Sequence, residues 1–281
     1  MSATATQMRS GRRWLLNLGI AVIVLYCLAP FYWMVVSAFR RPGDQGANTL
    51  FPAPWSLENF TAVFGPDVGF QRSLVNSLVV AGVTTILTLL VGTFAAYTLA
   101  RLEFRGKGVV AAIIIATAMF PGISLIVPLL KLFTEIGWIN TYQAMIVPSL
   151  SFALPLAIWT LATFFRQMPK ELEEAAMVDG LTRGQAFRKV IIPLAAPGMF
   201  TTAIITFIAA WNEFIIALSM VNEKSMQTAT VAISRFTGIT GFDTPFGTQM
   251  AAGVIVTVPL VVVVLIFQRR IIAGLTAGGV K

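Results

Sequence analysis

"ELEEAAMVDGLTRGQAFRKVIIPLAAPG", residues 171–198, is a charged, helix-forming stretch set between two long apolar runs. Pro169 suits the first turn of a helix, where its missing N–H costs nothing, and Glu171, Glu173 and Glu174 follow where the helix dipole favours negative charge. Leu172, Ala175 and Ala176 fall on one face, and the two alanines admit close approach of another backbone. Gly180 provides a stop, because glycine adopts the left-handed conformation that other residues avoid. Thr182, with Gln185 three residues on, has the pattern of a capping box that starts a second helix, which Pro193 limits. The segment reads as helix, turn, helix. A solvated amphipathic connector and a handle gripped by a soluble partner both fit it.

The surroundings fix the solvent. Of 281 residues, 57% are hydrophobic and 11% are charged, against about 25% charged in an ordinary soluble domain. Uncharged runs cover 14–39, 73–100, 108–130, 136–165, 190–212 and 244–268. Each exceeds the ~20 residues that cross the hydrocarbon of a bilayer as helix. The fold class is therefore all-α, a polytopic membrane protein in one membrane domain, residues 1–281. Its spans are expected near 14–39, 75–100, 109–130, 142–165, 196–220 and 248–268. The first run is too long for a signal-peptide core and has no small-residue cleavage site, so it stays as helix one.

Lys and Arg set the orientation, since basic loops resist translocation. Counted over alternate loops, fourteen lie on the side of both termini and of residues 166–193, and six on the other. Both termini and the charged segment are thus expected in the cytoplasm. The formal net charge of +8 is mostly this bias, which argues against a nucleic-acid partner and leaves membrane lipid as the surface met. With no His and one cysteine, Cys27, the chain has no His/Cys metal constellation, no intrachain disulfide and no Ser-His-Asp centre. It also lacks a G-x-x-x-x-G-K-[ST] phosphate loop, so any nucleotide binds on another chain.

Between the first two spans, "SLENFTAVF" (56–64) is expected to form a short helix capped by Ser56, with Leu57, Phe60, Thr61 and Phe64 on one face. It lies on the membrane surface, under an outside partner, or against its own bundle. Asn59-Phe60-Thr61 is formally a glycosylation sequon of little weight. Pro30, Pro121, Gly122, Pro128, Pro148, Pro155 and Pro259 interrupt the spans, as kinks or as marks of a pathway.

Glu174-Ala175-Ala176, then Gly180 after three residues and Val190-Ile191-Ile192-Pro193 after nine more, resembles the "EAA" loop of ABC-importer permeases. Val190 and Ile192 depart conservatively from that pattern. "NSLVVAGVTTILTLLVGTFAAYTLARLEFRGK", "GWINTYQAMIVPSLSFALPLAIW", "AAWNEFIIALSM" and the terminal "GLTAGGVK" are similar to the maltose-type carbohydrate permeases, in their shorter, MalG-like branch. The resemblance implies the type I importer permease fold and half of a pore in the bacterial cytoplasmic membrane. The implied partners are a second homologous permease (MalF/SugA-like), two ATPase subunits (MalK/SugC-like) that carry ATP and Mg, and an extracytoplasmic sugar-binding protein. This chain itself carries no cofactor and is no enzyme. The implied cargo is a disaccharide, with trehalose the first expectation. Carried over by residue, Leu172, Glu174, Ala175 and Ala176 meet the ATPase, Gly180 is the turn, and Gly278 and Gly279 in the tail (269–281) reach between the ATPase subunits. From composition alone that tail is a flexible end.

Glu213 lies ~25 Å along a helix from Ala196, toward the outer side of the hydrocarbon. A carboxylate there faces a polar cavity or a partner rather than lipid. With Trp211 and Asn212 it suits a hydroxyl-rich cargo route, or it serves as an interfacial anchor or interhelical hydrogen bond. An ion-coupled secondary transporter is the alternative, but it predicts paired ionisable residues in the spans and an inverted repeat, which the sequence does not display.

Overall fold

The computed structural model describes residues 3–46, 49–65, 68–236 and 245–277, with the side chains of 3–12 and 269–277 left aside. Its helices are α1 (Ala3–Ala38), α2 (Glu58–Val63), α3 (Phe70–Arg101), α4 (Lys107–Met119), α5 (Ile126–Glu135), α6 (Tyr142–Gln167), α7 (Glu171–Val178), α8 (Arg183–Ala186), α9 (Ile192–Trp211), α10 (Ile215–Met220), α11 (Ala229–Ser234) and α12 (Phe246–Ala277). Among the described residues, five helical stretches are long and apolar enough to cross a membrane: 13–38, 70–101, 142–167, 183–211 and 246–268. A sixth crossing is counted if α4 and the helical stretch Gly122–Glu135, bent by 87° from each other, form one span.

The expected span at 109–130 is thus broken where Pro121 and Gly122 were expected to interrupt it. Pro121 cannot donate a helical hydrogen bond and forces Phe120 out of helical backbone, to φ −73° and ψ 130°. The chain resumes as a short 3-10 turn, Gly122–Leu125, before α5. The expected span 196–220 is also divided: helix ends at Trp211 and restarts at Ile215.

Chain contacts resolve two compact units, 1–68 with 235–257 and 69–234 with 258–281. In the first, Asn59 on α2 is buried and its Nδ2 donates to the carbonyls of Ala38 (3.0 Å) and Arg40 (2.6 Å) at the exit of α1. The face of α2 turned inward is therefore Asn59 and Val63, while Leu57, Thr61 and Phe64 are exposed. Of the face that apolar spacing picks out, only Phe60 is half-buried, its ring 4.8 Å from that of Phe39; the rest is turned outward, while Asn59 satisfies orphan carbonyls at the end of α1. Ser56 Oγ accepts from the Glu58 N–H at 3.1 Å, but the residue at the cap position of α2 is Leu57, which has no side-chain cap bond, so the expected Ser56 cap is displaced by one residue. An Asn59 buried in this way is no glycan acceptor in the folded chain. A Cβ at Gly247 would come within 2.6 Å of Asn59 Oδ1, so this contact requires glycine.

In the second unit α3, α6 and α9 pack together. Small residues line the approach: Gly92 sits against Ala157, Ile158 and Leu161, and Gly198 against the ring of Phe164. Without a hydrophobic drive between helices in lipid, such close backbone approach is what holds spans together. At the other end of α3, Asn76 ties three segments. Its Nδ2 donates to the carbonyls of Ser225 and Gln227 at 2.9 Å, and its Oδ1 accepts from Tyr142 at 2.7 Å.

Candidate functional site

The charged segment begins as its sequence dictates. Glu171, Glu173 and Glu174 occupy the first turn of α7. The helix ends in a two-bond glycine cap: Gly180, at φ +89°, donates to the Met177 carbonyl, and Leu181 N–H donates to the Ala176 carbonyl, both at 3.1 Å. Thr182 then starts α8 with a complete capping box. Its N–H donates to Gln185 Oε1 at 2.9 Å, and its Oγ1 accepts from the Gln185 N–H at 3.4 Å.

Pro193 does not limit the second helix. α8 runs through one wide turn of π-helix, Phe187–Ile191, directly into α9, so that 183–211 is a single helical rod. A π turn relaxes the i to i−4 ladder where the proline ring would otherwise meet the carbonyl one turn back and leave it without a donor. The charged segment from Arg183 onward and the fifth span are thus one helix, to which α7 is joined through the turn at Gly180.

The faces of α7 also differ from the expected stripe. Ala176 is turned inward, but Leu172 and Ala175 face out, as does Glu174. The outward apolar row continues to Val178, 86% exposed. Leu172, Ala175 and Val178 repeat every three residues, a signal present in the sequence that the alanine pair obscured. The acidic residue turned inward is Glu173. It accepts a hydrogen bond from the Tyr97 hydroxyl at 2.6 Å and lies 3.8 Å from Arg183 Nε. Arg101 Nη2 donates to the Met168 carbonyl at 2.9 Å, which fastens the short connection between α6 and α7 to the end of α3.

At the break between α9 and α10, the Glu213 carboxylate accepts from the backbone N–H groups of Ile216 (2.7 Å) and Ala217 (3.0 Å). These are first-turn donors of α10 that have no partner within the helix. Glu213 also lines a cavity of about 160 Å³ between α6 and α9, with Ser149, Phe152, Leu156, Thr202 and Thr206. Trp211 is buried and stacks on Phe207 at 5.7 Å, and Asn212 Nδ2 donates to the Ile208 carbonyl at 2.8 Å. The cavity lining therefore brings in Glu213 without Trp211 or Asn212. Replacing Glu213 by Ala will destabilise the chain by ~1 to 2 kcal/mol, the usual worth of a capping side chain. Glu213→Gln, which keeps an acceptor oxygen, will cost less; thermal unfolding in lipid discs measures both. Gly278 and Gly279 of the tail lie outside the described residues.

Described residues that fold as bilayer-length helices, one of them prolonged into a capped, charged helix–turn–helix, make this an integral membrane protein. Residues 73–276 match the family described as binding-protein-dependent transport system inner membrane component, and the chain belongs to that family. It is 45% identical over 260 residues to the trehalose transport system permease SugB of Mycobacterium tuberculosis, covering 92% of this chain and 94% of the relative. It is 40% identical over 271 residues to the trehalose/maltose transport system permease MalG of Thermococcus litoralis, covering 96% and 97%. Its fold is shared with a chain of a bacterial ABC transporter involved in import of the acidic polysaccharide alginate, at TM-score 0.76 and 20% identity over 96% of this chain and 98% of that one.

Proposed function

We propose that this chain forms half of the pore of an ATP-driven importer of carbohydrate, with trehalose as the cargo, and that α7 is the joint through which partner ATPase subunits move it. The observation that carries this reading is an outward row of Leu172, Ala175 and Val178, rimmed by Glu174, at the foot of a rod continuous with a membrane span. An apolar strip of that size suits a groove on a soluble protein, and a rigid connection transmits displacement where a flexible loop would absorb it. Family membership and the trehalose permeases among the relatives support the cargo and the assembly. The assembly comprises a second permease, two ATPases holding ATP and Mg, and an extracytoplasmic binding protein. Both termini face the cytoplasm, the tail with Gly278 and Gly279 reaches the ATPases, and Glu213 meets the cargo route through its cavity wall.

Purification of the assembled complex into vesicles tests this. Hydrolysis of ATP is expected to rise with trehalose-loaded binding protein more than with maltose, and cysteines placed at Ala175 and Val178 are expected to crosslink to an ATPase subunit. Ion-coupled uptake by this chain alone, or crosslinks to lipid only, would overturn the reading.

A further inference from the structure

We infer that Tyr97, Glu173 and Arg183 form a latch that fastens the coupling helix α7 to the end of span α3, so that displacement of α7 moves the packed spans rather than α7 alone. The inference rests on the function proposed above, and it assigns a positioning role to residues outside the outward face of α7.

Three elements converge on Glu173. Its side chain is turned into the protein and only 9% exposed, although Glu171 and Glu174 on the same helix are in solvent. A carboxylate withdrawn from water in this way requires compensation, and a buried polar group without it is costly. The compensation comes from the Tyr97 hydroxyl at 2.6 Å, within the range of strong charge-assisted bonds. Arg183 Nε at 3.8 Å adds a weaker contact from the first turn of α8, its side chain 61% exposed and so largely screened. Tyr97 is therefore the dominant partner.

Tyr97 is itself held rigidly. Its ring lies 4.3 Å from that of Phe187, at the start of the π turn, and 6.0 Å edge-on from that of Phe165 near the end of α6. Ala96, Leu99, Leu161, Ile191 and Ala195 complete the surrounding core. The hydroxyl thus projects from the packing of α3, α6 and α9, and Glu173 is the group by which α7 grips it. Apart from this bond, α7 presents only Ala176 as a fully inward side chain. Arg101 fastens the connection before α7 and the glycine cap closes its end, so among the side chains of α7 itself Glu173 provides the hydrogen bond to the spans.

Loss of one charge-assisted hydrogen bond changes a latched-to-unlatched ratio by about tenfold or more. In the assembled complex, Tyr97→Phe is expected to raise the ATP hydrolysed per sugar imported by about that factor, with assembly intact. Glu173→Ala is expected to do the same, Glu173→Gln, which keeps an acceptor for the tyrosine, to be restored toward the parent, and the Tyr97→Phe/Glu173→Ala pair to be no worse than Glu173→Ala. Amide exchange of 171–178 is expected to quicken in Tyr97→Phe while that of α3 stays unchanged. A parental ATP-to-sugar ratio in Tyr97→Phe, additive effects in the pair, or unchanged exchange in α7 overturns the latch. If the parent complex shows no cargo-stimulated hydrolysis, the proposed function fails instead, and the exchange measurement still decides whether the bond restrains α7.

Discussion

Gly180→Asp is expected to insert and assemble as the parent does, yet to import cargo at a rate lower by at least about tenfold, the equivalent of ~1.4 kcal/mol. Gly180 stands at φ +89° and closes α7. A non-glycine residue in left-handed backbone costs about 1–2 kcal/mol, least for Asn and Asp, so the turn survives the change under modest strain. A Cβ built there meets nothing within 4 Å. The fold therefore has room for the aspartate, and the new carboxylate projects from the end of α7 that carries Val178. Under the proposed function that space belongs to an ATPase groove, and an extra charge removed from water at the contact is costly. Gly180→Asn separates the two contributions: it shares the backbone strain and lacks the charge. Uptake near parental in Asn and lost in Asp assigns the effect to docking; equal loss in both assigns it to the shape of the turn. Parental uptake and cargo-stimulated hydrolysis in Gly180→Asp would remove this residue from the joint.

The largest loss of stability is expected from Gly198→Leu. A Cβ at Gly198 would sit 2.5 Å from Phe164 Cγ and 2.7 Å from both δ carbons. These atoms are close to the stem of the ring, so no small rotation relieves the clash; α6 and α9 must part, or Phe164 must leave its position. Overpacking of this kind costs about 1–3 kcal/mol, and the further carbons of leucine place it at the upper end. Gly92 offers the matched control. It is also a buried helical glycine, but its Cβ would lie 3.7 Å from Ala157 and 3.9 Å from Ile158 and Leu161, at ordinary contact distances. Gly92→Ala is expected to be neutral or stabilising by up to ~1 kcal/mol through helix propensity, whereas Gly198→Ala is destabilising. Thermal unfolding in lipid discs ranks the three variants, and Gly198→Ala as stable as Gly92→Ala would show that Phe164 yields freely.

Much of the lever was legible because it rests on local chemistry. The acidic first turn of α7, the stop at Gly180 and the capping box of Thr182 and Gln185 depend on residues within a few positions of one another, and each stands where the sequence puts it. The π turn before Pro193 was not legible. A proline inside a helical pattern signals a stop, and only packing of Phe187 and Ile191 into the core of α3 and α6 makes a continuous helix with one widened turn the better arrangement. Glu213 was legible as a residue that must avoid lipid, but its use as the cap of α10 depends on the chain breaking at Asn212, where side chains offer the backbone other partners.

The sequence by itself determined a helical membrane chain, the start of α7, its stop at Gly180 and the start of α8 at Thr182, and with them a charged helix–turn–helix of the importer pattern. It did so because transfer from water to lipid and capping of helix ends are properties of a segment and its immediate neighbours. Only the tertiary structure decided which face of each helix is turned inward: Asn59 and Val63 on α2, Glu173 and Ala176 on α7, Gly198 against Phe164. In a span that is apolar on every side, hydrophobic contrast cannot tell a lipid-facing residue from a packed one, so the choice falls to hydrogen bonds and close contacts with elements far away in the chain.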